Sequence, residues 1–171
     1  RRDARTDASG RIVLLADQDR AGWHHDEIAE ALELLASPGL TGPLPVQAAS
    51  YLLQARIAAE HATAATAGET RWDRVVAHYD LLLQVEPSPG AQLARVVALA
   101  EARGPRAGLD ALAEVRMPGS HRPASVRAEL SARSGDLPAA RDAYREALAL
   151  CRNAAETAHL QERLDQLGNS P

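Results

Sequence analysis

The sequence contains no phenylalanine and no lysine, and a single cysteine, Cys151. One thiol excludes an internal disulfide and any metal site built from several cysteines. Aromatic residues make up 3% of the chain, and isoleucine occurs only at Ile12, Ile28 and Ile57. Strands favour β-branched and aromatic residues, so this scarcity weighs against a β fold. No apolar run is long enough to cross a bilayer, and no signal-peptide pattern opens the chain, so a cytoplasmic protein is expected. Basic charge is also limited: all 19 basic residues are arginines, against 23 acidic ones, for a net charge of -4. That balance argues against a general nucleic-acid-binding surface. The chain begins at Arg1-Arg2-Asp3 without an initiator methionine, as expected of a fragment of something larger.

Alanine and leucine dominate the 46% hydrophobic fraction. Both are strong helix formers, and the apolar residues recur at helical spacing. Residues 1–21 read as a linker or docking arm with an apolar patch at Ile12-Val13-Leu14-Leu15, where a weak strand alternation also appears. A helix over 23–37 carries Ile28, Ala31, Leu32 and Leu35 on one face. Three prolines and two glycines make residues 38–45 a loop. A second helix is expected over 45–62. A third begins at Trp72, where Trp72, Val75, Val76, Tyr79, Leu82 and Leu83 form one apolar stripe. Ser88 and Pro89 suit the start of a fourth, over 89–103. Pro105 opens a fifth, to about Val115, and a sixth spans 121–134. Asp136 caps a seventh, over 137–151. Asn153 and Glu156 read as a capping box for an eighth, ending at Gly168.

Helices of this length joined by tight turns call for a test of internal periodicity. After the Gly135-Asp136 turn come Ala140, Tyr144, Ala147 and Leu148. This is the tetratricopeptide (TPR) pattern: a small residue five positions after the glycine, an aromatic four later, an alanine three later. Small residues let paired helices approach closely, and the aromatic fills the hole between hairpins. Trp72, Tyr79, Leu82 and Pro87 fit the same frame, and Gly104 with Leu109 fits it loosely. The expected fold is therefore an all-α, TPR-like helical-hairpin solenoid over 22–171, with hairpins at about 45–87, 89–116 and 121–151. A capping helix over 153–167 presents Gln161, Glu162, Arg163, Asp165 and Gln166 as a polar outer face.

Chemistry-bearing motifs are few. His24 and His25 beside Asp26 and Glu27 invite a metal reading, but zinc helices set ligands on one face, and adjacent histidines diverge. A polar helix start accounts for them. His61, His78, His121 and His159 lie on four different helices and read as packed or exposed helix residues. Cys151, in line with Ala147 and Leu148, reads as a buried, inert thiol. No nucleophile elbow, phosphate-binding loop or dinucleotide fingerprint occurs. The expectation is a non-enzyme with no metal and no cofactor. Arg95, Arg103, Arg106 and Arg116 suit either a groove for an acidic peptide or a solvated face balanced by Glu101, Asp110 and Glu114.

The run Leu15-Ala16-Asp17-Gln18-Asp19-Arg20, followed by Trp23 and Ile28-Ala29-Glu30, resembles the segment after the DNA-binding core in one group of bacterial extracytoplasmic-function (ECF) sigma factors that carry a C-terminal TPR-like extension. Further matches follow in order: Gln47-Ala48-Ala49, Ile57-Ala58-Ala59 with His61, Trp72 with Tyr79-Asp80-Leu81-Leu82, Ser88-Pro89, Arg95 with Ala98, Glu101 with Arg103-Gly104-Pro105, Arg127-Ala128-Glu129-Leu130, Tyr144 with Ala147-Leu148, and Asn153-Ala154-Ala155-Glu156. The resemblance implies the extension alone, acting in transcription initiation. Its implied partners are the sigma core of the same polypeptide and RNA polymerase. DNA would be reached only through the sigma regions, with no membrane and no small-molecule substrate. Asp17, Gln18, Asp19, Arg20 and Trp23 then stand as an interdomain latch, or as residues that only cap and staple the first helix. His61, Tyr79, Arg95 and Arg127 stand as a candidate groove. Two other functions remain open: a free-standing TPR-type peptide-binding adaptor, and an enzyme on a helical solenoid.

Overall fold

A computed structural model describes residues 4–8, 11–40 and 42–168. The chain is all-α. Among the described residues it has eight α-helices, and its sole β element is an isolated antiparallel bridge between Thr6 and Ile12. That bridge corresponds to the weak alternation around Ile12. It is extended by hydrogen bonds from Val13 N to Arg5 O (2.9 Å) and from Asp7 N to Arg11 O (3.0 Å). The start of the arm at Arg1-Arg2-Asp3 lies outside the described residues. The chain divides into two compact units, Arg1–Ala91 and Gln92–Pro171.

In the first unit, α1 (His25–Leu35) packs on α2 (Val46–Thr63), and α2 pairs with α3 (Trp72–Val85). The α2/α3 pair is antiparallel. Ser50, near the start of α2, donates its hydroxyl proton to Glu86, just past the end of α3. Glu60, near the end of α2, meets Arg71 and Arg74 at the start of α3. Leu53, Ile57, Val75, Val76 and Leu82 form the buried seam. The stripe expected on α1 is weaker than its pattern suggests: no residue of that helix is fully buried.

The second unit contains α4 (Pro89–Arg103) over most of its length, α5 (Pro105–Leu112), α6 (Arg122–Arg133), α7 (Leu137–Leu150) and α8 (Ala154–Gly168). Ser88, Asp136 and Asn153 each accept at a helix start. Ser88 Oγ accepts from Ala91 N, Asp136 Oδ1 from Ala139 N, and Asn153 Oδ1 from Glu156 N. Gly104 and Gly135 hold φ of 90° and 85° at the two turns, which a side chain would strain. Glu129 meets Tyr144 and Arg127 meets Glu146, so α6 and α7 run antiparallel. Glu129 also meets Arg163 and His121 meets Glu156, so α8 lies alongside α6 in the same direction.

The loose frame at Gly104 and Leu109 resolves one residue earlier. Gly108 is the small residue. An added Cβ there would lie 2.7 Å from both Ala100 Cβ and Leu130 Cδ1. Leu112 and Val115 follow at the same four-then-three spacing as Tyr144 and Ala147 after Ala140, and both are buried. The Gly104-Pro105 turn is one residue shorter than Gly135-Asp136-Leu137, which shifts the count from the glycine. Leu93, Val96, Ala100, Leu112, Val115 and Leu130 form one core, and Ala124, Ala128, Ala143, Tyr144, Ala147 and Leu160 another.

Candidate functional site

The arm residues singled out in the sequence are brought together on the first unit. A short 3-10 turn, Arg20–Gly22, precedes α1, and Asp19 Oδ1 caps it by accepting from Ala21 N at 2.9 Å. Arg20 reaches across to the C-terminal end of α2. Its Nη1 donates to the carbonyls of His61 (2.8 Å) and Ala64 (2.6 Å). These are the carbonyls that a helix end leaves without intrahelical partners, and a cation there also complements the helix dipole. The same guanidinium lies 4.9 Å from the centroid of the Trp23 ring, within cation–π range. Trp23 is buried at 4% exposure. Gln18 is buried as well, and its Nε2 donates to Val13 O at 3.2 Å. Asp17 and Asp19 are exposed. The stretch is thus pinned to α2 by Arg20, with Trp23 buried against its guanidinium, while both Asp residues are exposed.

Beside this anchor lies an open apolar groove of about 460 Å³. Ile28, Ala31, Leu32 and Leu35 of α1 form one wall, and Ala55, Ala58, Ala59 and Ala62 of α2 form the other. Trp23 and Leu40 also line it. Alanines on α2 are too short to fill the space opposite the leucines, which is why the α1 stripe stays half-buried. Leu34, on the same helix, is 64% exposed.

The candidate groove residues are divided between the two units, His61 and Tyr79 in the first and Arg95 and Arg127 in the second. His61, on α2, stacks edge-on against Trp72 with ring centroids 5.1 Å apart. Tyr79, on α3, is half-buried, and burial raises its phenol pKa above the usual value. Arg95 and Arg127 belong to the second unit, where Arg127 is ion-paired with Glu146. The balancing acids are distributed differently from the sequence expectation. Asp110 does pair with Arg106 at 3.3 Å, but Glu101 pairs with Arg133 of α6. Arg116 donates to the carbonyls of Ala113 and Val115.

Three clusters were not visible in the sequence. Glu60, only 4% exposed, is clasped by Arg71 (2.8 Å) and Arg74 (2.9 Å), with His78 Nε2 at 3.7 Å. Burial lowers the His78 pKa below its ordinary value, reinforced by the charges of Arg56 and Arg74 and opposed by Glu60. In the second unit Glu129 accepts from Tyr144 Oη at 2.9 Å and from Arg163 Nη2 at 2.7 Å, joining α6, α7 and α8. Burial and the Glu129 charge push the Tyr144 phenol up to about 12, and the Glu129 bond raises the Arg163 pKa. The third cluster corrects two expectations. Glu156 does not complete a capping box by turning back to Asn153; its carboxylate lies 2.7 Å from His121 Nε2. Cys151 is half-buried and not sealed in a core. It ends α7 as an extended C-cap, with Sγ 3.6 Å from Asn153 O and 4.0 Å from Glu156 Oε2.

Among the described residues no helix is long and apolar enough to cross a membrane. Residues 1–38, which include the anchored arm, match a family described only as a family of unknown function (DUF6596). Over 174 aligned residues the chain is 37% identical to an uncharacterized protein, R00370, of Rhizobium meliloti (strain 1021). No solved structure matches. The alignment with R00370 takes in 98% of this chain and 39% of the relative, so the chain spans about two fifths of the protein it matches.

Proposed function

We propose that this chain is a regulatory protein-interaction extension of an ECF sigma factor, supporting or controlling sigma-dependent transcription initiation through contacts with the sigma core or RNA polymerase. One observation carries the reading. The Asp17–Trp23 stretch, part of the run that carries the resemblance, is fastened to α2 by Arg20, whose guanidinium also meets Trp23, while Asp17 and Asp19 remain exposed. Exposed acids on the arm and an open apolar groove on the same unit suit a basic and apolar partner. The family match over residues 1–38 takes in the same stretch. The greater length of the relative fits a module joined to further segments.

The test is transcription from the cognate promoter by the whole polypeptide. Asp17→Arg reverses one exposed charge without touching the Arg20 anchor. It is expected to change promoter output and to weaken a pull-down of the isolated extension by the sigma core. Output and binding that both stay at the wild-type level would remove the proposal.

A further inference from the structure

We propose that His121, Cys151 and Glu156 form a binding site for one divalent cation of the zinc class. The three come from different elements of the second unit: the N-cap of α6, the C-cap of α7 and the first turn of α8. One ligand atom from each, the imidazole nitrogen, the thiol sulfur and a carboxylate oxygen, lies within 4.8 Å of the other two. Zinc bonds of about 2.0–2.3 Å in a tetrahedron set neighbouring ligand atoms about 3.4–3.6 Å apart. The observed 2.7 Å between His121 and Glu156 and 4.0 Å between Cys151 and Glu156 bracket that spacing.

The donor chemistry selects the ion. A thiolate and an imidazole suit zinc and its neighbours, whereas calcium and magnesium want oxygen ligands throughout. Thiolate plus carboxylate supply two negative charges against the dication, and the thiol proton leaves to solvent on binding. The backbones of all three residues are held. Cys151 N bonds Ala147 O at 2.9 Å, His121 O accepts from Ser125 N at 2.9 Å, and Glu156 N bonds Asn153 Oδ1 at 3.1 Å. The His121 side chain is 18% exposed and that of Glu156 36%, so the site is shielded yet reachable. Three protein ligands leave a fourth position for water or for a side chain from a partner. A cation here would clamp α8 to the α6/α7 hairpin.

The experiment uses the full chain stripped of metal with a chelator, then titrated with zinc chloride or cobalt chloride. One equivalent is expected to bind, and cobalt is expected to show a thiolate-to-metal charge-transfer band. Cys151→Ser should abolish the band. Cys151→Ser and His121→Gln should each weaken zinc more than about tenfold, since losing even a group that only supports a metal ligand costs about that much. A variant that does not fold is set aside by a second measurement on the wild-type chain, in which zinc should slow iodoacetamide alkylation of Cys151 more than about tenfold. Absence of the cobalt band, zinc affinity unchanged in a folded Cys151→Ser chain, or alkylation indifferent to zinc would overturn the site and leave a His121–Glu156 contact with a thiol nearby.

Discussion

Arg20 holds the C-terminal end of α2 from outside the helix, donating through one nitrogen to the carbonyls of His61 and Ala64 while its guanidinium sits 4.9 Å from the Trp23 ring. One side chain thereby joins the arm, the start of α1 and the end of α2. Arg20→Ala leaves two carbonyls without that donor and removes the cation from a buried indole. The expected loss is about 1.5–3 kcal/mol, the range for charge-assisted hydrogen bonds. Both tryptophans of the chain, Trp23 and Trp72, lie in the first unit, so urea denaturation followed by tryptophan fluorescence reads that unit selectively. An unchanged midpoint would mean the arm rests on α2 without stabilising it. Arg20→Lys should recover only part of the loss, because an ammonium lacks the planar guanidinium face.

Gly108 sets a contest between helix propensity and space. Replacing a helical glycine by alanine is worth about 1 kcal/mol in an open helix. Here the added methyl would meet Ala100 Cβ and Leu130 Cδ1 at 2.7 Å and Val96 O at 3.2 Å. Leu130 can turn away, but Ala100 Cβ and the Val96 carbonyl are fixed to the backbone. Overpacking costs about 1–3 kcal/mol, so Gly108→Ala is expected to lower the thermal midpoint despite its better propensity. Adding Ala100→Gly should return part of the loss in a double-mutant cycle. A raised midpoint in the single variant would show that α4 and α5 separate freely.

What the sequence revealed and what it hid follow from the range of the interactions. Ser88, Asp136 and Asn153 act within three residues of their targets, and the period of Val75, Val76 and Leu82 lies along one helix. These features were readable, and so were the eight helices. The frame through α5 is offset by one residue from its loose sequence fit because a glycine looks like a turn residue until its neighbours are known. Glu60, Glu129 and the His121–Cys151–Glu156 set were hidden for a different reason. Their members stand on separate helices, so no spacing rule links them. The half-open face of α1 was hidden too, since an alanine on α2 reads as apolar whether or not it fills the space opposite.

Tyr144 gives the second unit a dependence on high pH. Its phenol is pushed from 10.0 to about 12 by burial and by Glu129. A pKa raised in the folded state means that the neutral phenol is preferred there. The stability this contributes is fully present below pH 10 and is lost as pH rises towards 12. Urea midpoints between pH 9 and 12, read by circular dichroism, should therefore fall in the wild type and fall less steeply in Tyr144→Phe. Some slope should persist in the variant because burial also raises the Tyr79 pKa. At neutral pH the variant loses the hydrogen bond to Glu129, for an expected cost of about 1–2 kcal/mol.

His78 acts in the opposite direction on the pH scale. Burial depresses its folded pKa below 6.5, with Arg56 and Arg74 assisting and Glu60 opposing. The neutral imidazole is the form the fold prefers. Its contribution is therefore present above pH 6.5 and is lost as pH falls from there through the folded value, because the unfolded chain takes up the proton first. Nuclear magnetic resonance titration of the imidazole should give a midpoint below 6.5. His78→Gln cannot titrate, so the fluorescence-detected urea midpoint of the first unit should decline less between pH 7 and 5 than in the wild type. Glu60 is the carboxylate within reach of the ring, at 3.7 Å, and Glu60→Gln removes the one influence that raises the pKa. The same titration should then show a still lower midpoint for His78. A midpoint at or above 6.5 in the wild type would mean that the Glu60 attraction outweighs burial, reversing the sign of the acid dependence.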